Sequence, residues 1–258
     1  MPAPASLTLV ALQGVGAVLP GDDLAIRILA AADDAGIALA DGDVVAVAQK
    51  IVSKAEDRYA VLDEVVPSAR AIELARACRK DPRVVELVLA ESRAVLRTAP
   101  NVLVVEDRRG LVLANAGVDR SNVEPDARGR ERVLLLPVDP DASAARLRAR
   151  IREVAGVDVG VLINDSVGRA WRLGTVGTAI GASGIPGLLD LRGTPDLHGR
   201  ALQITEVGFA DELAAAASAL MGQADEGRPV VVIRGARLAR RDGTARELQR
   251  PRDQDLFR

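Results

Sequence analysis

Short apolar runs, interrupted at intervals by Ala- and Arg-rich periodic stretches, limit this chain's folding choices more than any other feature. The runs are LTLVAL (7–12), VVAVAQ (44–49), NVLVVED (101–107), LVLANA (111–116), VLLLPV (133–138), VGVLIN (159–164), LQITEV (202–207) and PVVVIRG (229–235). Each has the length of a strand, and most are rich in the branched residues that suit a pleated, half-buried surface. Between them, DLAIRILAAADDAG, SARAIELARACRK, DASAARLRARIREVAG and ADELAAAASALMGQ carry helical periodicity. NVLVVEDRRGLVLANAG reads as a hairpin closed around Arg-Arg-Gly. A hairpin combined with strand–helix alternation predicts an α/β fold with a mixed sheet, not a purely doubly wound one. Residues 140–143 offer an N-terminal cap to the DASAARLRARIREVAG helix, and Gly156 offers its stop.

At 258 residues the chain is long enough for a sizeable core. It reads as a single domain over 1–258, with a subdomain seam at the polar, turn-rich EPDARGRER (124–132). A net charge of −2 gives no global pull toward nucleic acid or an anionic membrane. No uninterrupted apolar run reaches the roughly 18 residues of a membrane span, and no basic segment precedes the N-terminal apolar part. A cytoplasmic protein without a signal peptide is therefore expected. Cys78, the single cysteine, excludes an intramolecular disulfide and is expected to pack in a helix or the core. The charged tail from Leu238 onward either stays disordered or docks through Leu248, Leu256 and Phe257.

Familiar catalytic devices are missing. The chain has no P-loop and no Rossmann fingerprint. His198, in the turn-like TPDLHGR, lies far in sequence from any nucleophile elbow and reads as an ordinary loop histidine. Polar clusters at strand ends remain. In QKIVSK, Lys50 and Lys54 share one face if the segment is helical, where they suit phosphate oxygens or merely solvate a helix start. Asn115, Gly117, Asp119, Ser121 and Asn122 crowd a turn that is either a hard-cation site or an Asx turn. Asp165 and Ser166 follow VLIN, where a strand is expected to end, and offer a carboxylate and a hydroxyl to magnesium. Arg169 and Arg172 suit bidentate clamping of phosphate or carboxylate, with Trp171 packed beneath them or filling core. LGTVGTAIGASGIPG reads as a backbone cradle for an anion or as small-residue packing between strands. Glu206 is a further ligand candidate, whereas Asp211 and Glu212 are most simply helix-start acids. Together these are the parts of metal-assisted phosphoryl transfer without a P-loop.

LPGDDL (19–24), DGDVVAVAQKIVSKAE (41–56), GLVLANAGVDRSNV (110–123), LLLPVDPDASAARLR (134–148), INDSVGRAWRLG (163–174), ITEVGFADELAAAA (204–217) and PVVVIRG (229–235) run in one order along the chain. In that order they resemble the F420:gamma-glutamyl ligase family. The resemblance implies a mixed-sheet fold with two subdomains and an intertwined homodimer. It implies a GTP-dependent amide ligase that joins L-glutamate to the lactyl-phosphate end of the deazaflavin F420-0 through an acyl phosphate. A pair of divalent cations, magnesium or manganese, is implied, with potassium as an optional further ion. Carried over by position, Asp119 and Asp165 hold one metal and Ser166 the second, with Glu206 as a further ligand or nucleotide contact. Gln49, Lys54, Asn122 and the turn of Val15, Gly16, Ala17 and Val18 become GTP contacts. Arg169 and Arg172 are our own assignment to phosphate or substrate carboxylate.

This chain departs from the family pattern in lacking an acidic residue after RAWR and in LLDLRGTPDLHGR, the region expected to face the acceptor. The alternatives are accordingly a related ligase with another carboxylate acceptor, or a nucleotide-binding homologue without turnover. At 258 residues no fused flavin-binding domain is expected.

Overall fold

The computed structural model describes residues 5–236 and 241–255. Its strands are β1 (Thr8–Leu12), β2 (Val44–Ala48), β3 (Tyr59–Val61), β4 (Ser92–Ala99), β5 (Val102–Asp107), β6 (Val112–Ala114), β7 (Arg132–Leu134), β8 (Gly160–Arg169), β9 (Arg172–Ser183), β10 (Leu189–Asp190), β11 (Glu206–Val207) and β12 (Val230–Arg234). The α-helices are α1 (Leu24–Asp34), α2 (Gln49–Ala55), α3 (Ala69–Cys78), α4 (Pro82–Ala90), α5 (Pro140–Ala155) and α6 (Phe209–Met221).

Five strands form the central sheet in the order β1-β12-β2-β8-β9. Only β2 and β8 run parallel; the other three pairings are antiparallel, so the sheet is mixed as expected. Alternation along the central strands splits their side chains between two cores. Val45, Val47, Val161, Ile163, Val230 and Val232 join Ile28 of α1 and Leu147 and Ile151 of α5 on one face. Val44, Ala46, Leu162, Val231 and Ile233 join Ala210, Leu213, Ala214 and Ala217 of α6 on the other. That double burial explains why VVAVA and VVVIR are apolar at every position but one.

A third core lies apart from these two. Leu62, Ala71, Ala75, Cys78, Val84, Val85, Val88, Leu103, Val105, Ala116 and Val133 close over the antiparallel sheet β4-β5-β6 and helices α3 and α4. Cys78 is completely buried there, as expected. Of the segment 124–132, residues 124–131 form a polar loop that leads into β7 at Arg132, and β7 pairs with β3.

The expected hairpin forms, with Val104 opposite Ala114; its turn is closed by Asp107 N–H donating to the Leu111 carbonyl at 2.9 Å and by Leu111 N–H donating to Asp107 Oδ1 at 2.8 Å. The four expected helices form too. The cap of α5 is Asp139, one residue before the segment expected to supply it; its carboxylate accepts from Ala142 N, and Pro140 occupies the first turn. Several strands end early. VLLLPV pairs only over Arg132–Leu134, because Pro137 has no N–H to donate and the Leu136 and Pro137 carbonyls are taken by arginine side chains. LVLANA turns at Asn115 and Ala116, both with positive φ. LQITEV contributes only β11, since Leu202 is bonded into turns with Gly193 and Thr194.

The larger correction is β8, which passes through Asp165 and Ser166 instead of ending there. It forms a long hairpin with β9, the segment expected to be an anion cradle or small-residue packing. Packing is the outcome. A Cβ at Gly177 would lie 2.4 Å from Ala214 O of α6, and one at Gly181 would lie 2.4 Å from Pro140 O of α5. Glycine lets two helices seat against the strand at these points.

The tail docks in part. Ala245 is buried, Leu248 packs on the α6 core, and Asp242 and Glu247 accept from backbone N–H groups of Gly184, Gly187 and Leu188. Leu238, Leu256 and Phe257 lie outside the described residues. No described helix is long and apolar enough to cross a membrane.

Candidate active site

Where β8 leaves the buried sheet, a cleft of about 170 Å³ opens between it and the turn after β6. Gln49, Gly117, Asp119, Asp165, Ser166 and Gly168 are among its lining residues. The fold brings these together from three elements. Parallel pairing of β2 with β8 sets Ala48 opposite Asn164, so the first residue of α2 lies beside Asp165. Asp119 is held by a two-way backbone bridge to Leu134, with N–O distances of 3.0 and 2.8 Å.

Asp119 forms the Asx turn that the sequence offered and pairs with a lysine besides. Its Oδ1 accepts from Ser121 N at 2.7 Å, an Asx turn, while Oδ2 lies 2.8 Å from Lys50 Nζ. Lys50 also donates to the Ser121 carbonyl and hydroxyl. Burial opposes ionisation of Asp119, but the Lys50 and Ser121 hydrogen bonds outweigh it and hold the carboxyl below its ordinary range.

Asp165 goes the other way. Burial, aided by the charge of Asp119, pushes it up to about 6, against the Ser166 N–H bond and the more distant Lys50. Two carboxylates thus face one small cleft, one ionised and bonded to a lysine, the other costly to ionise. This donor set fits a hard divalent cation, which accepts carboxylate and hydroxyl oxygens with few protein ligands. Charge between the two carboxylates would relieve the cost of ionising Asp165.

That shift has a measurable consequence. A raised folded value means Asp165 contributes stability that is fully present below the unfolded value of 3.8 and is lost as pH rises through about 6. With chelator present, the stability of wild type relative to Asp165→Asn is expected to fall between pH 4 and 6 and then level off. Urea titrations across that range check this; a flat difference would mean the carboxyl titrates normally.

The other expected site residues divide. Gln49 is buried at the cleft and accepts from Ser53 Oγ at 2.9 Å. Lys54, one turn on, is buried and pairs with Glu124 at 3.0 Å. Asn122 has φ of 54° and donates to the Ala224 carbonyl across a 3.4 Å gap. Val15 and Val18 are buried anchors that leave the Gly16–Ala17 backbone exposed, and Arg27 donates to Val15 O at 3.0 Å. Arg169 and Arg172 face each other at the exposed end of the β8–β9 hairpin. Trp171, between them, is 81% exposed, so it is not core filler. Glu206 stands apart: it lies on the β10–β11 ribbon, 3.2 Å from Arg192, and is not among the residues that line the cleft. His198 is an exposed turn residue.

Two features were not singled out as site elements. Lys50 was legible only as one of a lysine pair, and it is the member that reaches Asp119. The loop 222–228 gave no signal beyond its glycines. It meets Asn122 at Ala224, and Arg228 at its end has a buried Nε with no hydrogen-bond partner among the described residues.

Comparison with known proteins gives this geometry a family. Residues 14–235 match the family model described as F420-0:Gamma-glutamyl ligase. The chain is 50% identical over 245 residues to a protein of Methanopyrus kandleri named Coenzyme F420:L-glutamate ligase, covering 93% of each chain. A protein of the same name from Methanothermobacter thermautotrophicus is 43% identical over 254 residues, covering 98% of this chain and 99% of the relative. Another, from Archaeoglobus fulgidus, is 42% identical over 247 residues, covering 96% and 94%. The family model and these relatives thus define a ligase enzyme. The chain belongs to the F420-0:Gamma-glutamyl ligase family.

Proposed function

We propose that this protein joins L-glutamate to coenzyme F420-0 at the Asp119–Asp165 cleft, at the expense of GTP, by way of an acyl phosphate. The observation that carries the reading is the pairing of these two carboxylates, with opposite pKa shifts, beside Lys50 in a chain of this family. In the first step an acceptor carboxylate oxygen attacks the γ-phosphorus of GTP, the bond to the bridging oxygen breaks, and GDP leaves. In the second the glutamate amine attacks the acyl carbon. The C–O bond breaks, phosphate departs with the carboxylate oxygen, and the amine loses a proton.

Asp119 and Asp165 would hold one magnesium or manganese ion and Ser166 a second; when bound, they supply positive charge to the GTP phosphates. Lys50 neutralises charge on the same side, while Lys54, Gln49 and Asn122 bind the nucleotide with the exposed Gly16–Ala17 backbone. Arg169 and Arg172 hold the acceptor's phosphodiester. The same reading includes a homodimer. It is supported by Leu197 and Ile204, 101% and 87% exposed on the excursion between β10 and β11. Sedimentation at twice the chain mass is expected, and a monomer would remove that part.

Incubation with F420-0, GTP, glutamate and manganese is expected to release GDP and yield a product heavier by one or more glutamates. No GDP release would overturn the ligase reading, and release only with another carboxylic acid would change the acceptor.

A further inference from the structure

Lys50 spends every donor it has beside the cleft. An ammonium carries three N–H groups. Lys50 Nζ lies 2.8 Å from Asp119 Oδ2, 3.1 Å from the Ser121 carbonyl and 2.8 Å from Ser121 Oγ. Both oxygens of Asp119 are occupied in turn. Oδ1 accepts from Ser121 N at 2.7 Å, and Oδ2 accepts from Lys50 and from Ser121 Oγ, the latter at 3.2 Å. Asp165 accepts from the N–H of its neighbour Ser166 at 2.8 Å, and among the described residues no lysine or arginine forms an ion pair with it.

One side chain thus brings the positive charge to two carboxylates that face the same cleft. A carboxylate oxygen offers about two lone pairs, so Asp119 Oδ2 has none left for a further cation. A cation that reached Oδ1 alone would still lie beside the ammonium and be repelled by it. Lys50 is free to leave this place, and the other lysine of α2 is not. The Lys50 side chain is 24% exposed, and its strongly hydrated head rides on a flexible stem. Lys54, one turn on, is 10% exposed and is held by both oxygens of Glu124 at 3.1 and 3.0 Å.

We propose that Lys50 is the resident counter-ion of the Asp119–Asp165 pair, a placeholder that a divalent cation has to displace. The inference rests on the ligase reading, which sets a magnesium or manganese ion between these carboxylates. Without the ion, Lys50 balances the charge of Asp119 and ties its turn to α2 through Ser121. When the ion enters, Lys50 gives up Oδ2 and turns outward. The affinity for the ion is thereby held below what the two carboxylates alone would give.

Calorimetric titration of the intact protein with manganese alone, without GTP or acceptor, tests this. Lys50→Met is expected to bind manganese about tenfold more tightly than wild type, or better, because a like charge has gone from the ion's side. Lys50→Arg keeps the charge and is expected to stay close to wild type. Thermal unfolding gives a second readout. Without manganese Lys50→Met should melt below wild type, and manganese should raise its melting temperature by more. Lys50→Gln, which keeps N–H donors for Ser121, takes its place if Lys50→Met does not fold. Manganese binding no tighter in the Met and Gln variants than in wild type would overturn the proposal and leave the ligase reading standing. A gain in Lys50→Arg equal to that in Lys50→Met would overturn it too. Binding by the variants with none by wild type would support it. If neither wild type nor variants bind manganese, the placeholder and the metal pairing of the ligase reading fall together.

Discussion

Asp165→Asn is expected to lower kcat about a thousandfold while leaving the fold and its stability intact. Cation stabilisation of transferring phosphoryl charge is worth several kcal/mol, and each ~1.4 kcal/mol is a factor of ten. The amide keeps the shape of the carboxylate but gives up its charge. Stability should not fall, because at pH 7 the folded protein carries the cost of an ionised carboxyl raised to about 6. A variant that is inactive and at least as stable as wild type is the pattern of a group retained for function. Kinetics at ordinary metal concentration, beside thermal unfolding with chelator, check both halves. Retention of wild-type kcat would show that Asp165 is not a ligand.

The second large effect concerns stability. Arg109→Met is expected to cost about 3–5 kcal/mol, because it leaves carboxylates without their partner in a buried network. Arg109 is 3.0 Å from the wholly buried Asp107 and 2.7 Å from Glu91, and it donates to the Leu136 and Pro137 carbonyls. Arg58 completes the group, reaching Glu91 at 3.0 Å and Leu136 O at 2.9 Å. These arginines fix residues 136–137, just beyond the Leu134 that bridges to Asp119. A melting temperature lower by roughly 10 °C is expected, measured by calorimetry. Arg109→Lys should lose less, since it keeps the charge but not the planar fork. A change under about 1 kcal/mol in Arg109→Met would mean that the network contributes little.

This network also marks the limit of what the sequence could reveal. RRG was legible as a hairpin turn, but nothing local shows that its second arginine crosses to the chain at 136–137. Elements whose own periodicity sets their burial were legible: α1, α3, α5, α6, the β5–β6 hairpin and the doubly buried β2 and β12. Those fixed by distant partners were not. SRAVLRTA carries two arginines yet forms β4, because β5 supplies its ladder. LGTVGTAIGAS has the composition of a loop and forms β9, because its glycines admit α5 and α6. Tertiary contacts outweighed propensity in both.

The site divides along the same line. Asp119 and Asp165 were each readable as a carboxylate at an abrupt break in an apolar run. Their meeting depends on β8 continuing past its apolar part and on the Asp119–Leu134 bridge, both set at long range. Lys50 was masked by its neighbour Lys54, since only geometry decides which of two lysines on one face reaches Asp119. Glu206 matched by position alone, and its ribbon pairs it with Arg192 instead.

Oxygen transfer tests the proposed chemistry most directly. Acceptor labelled with 18O in its reacting carboxylate would be turned over with GTP, glutamate and manganese, and the released phosphate examined by mass spectrometry. An acyl phosphate at the Asp119–Asp165 cleft predicts one 18O in each phosphate released. Unlabelled phosphate, with the oxygen lost from the carboxylate appearing in water instead, would contradict it.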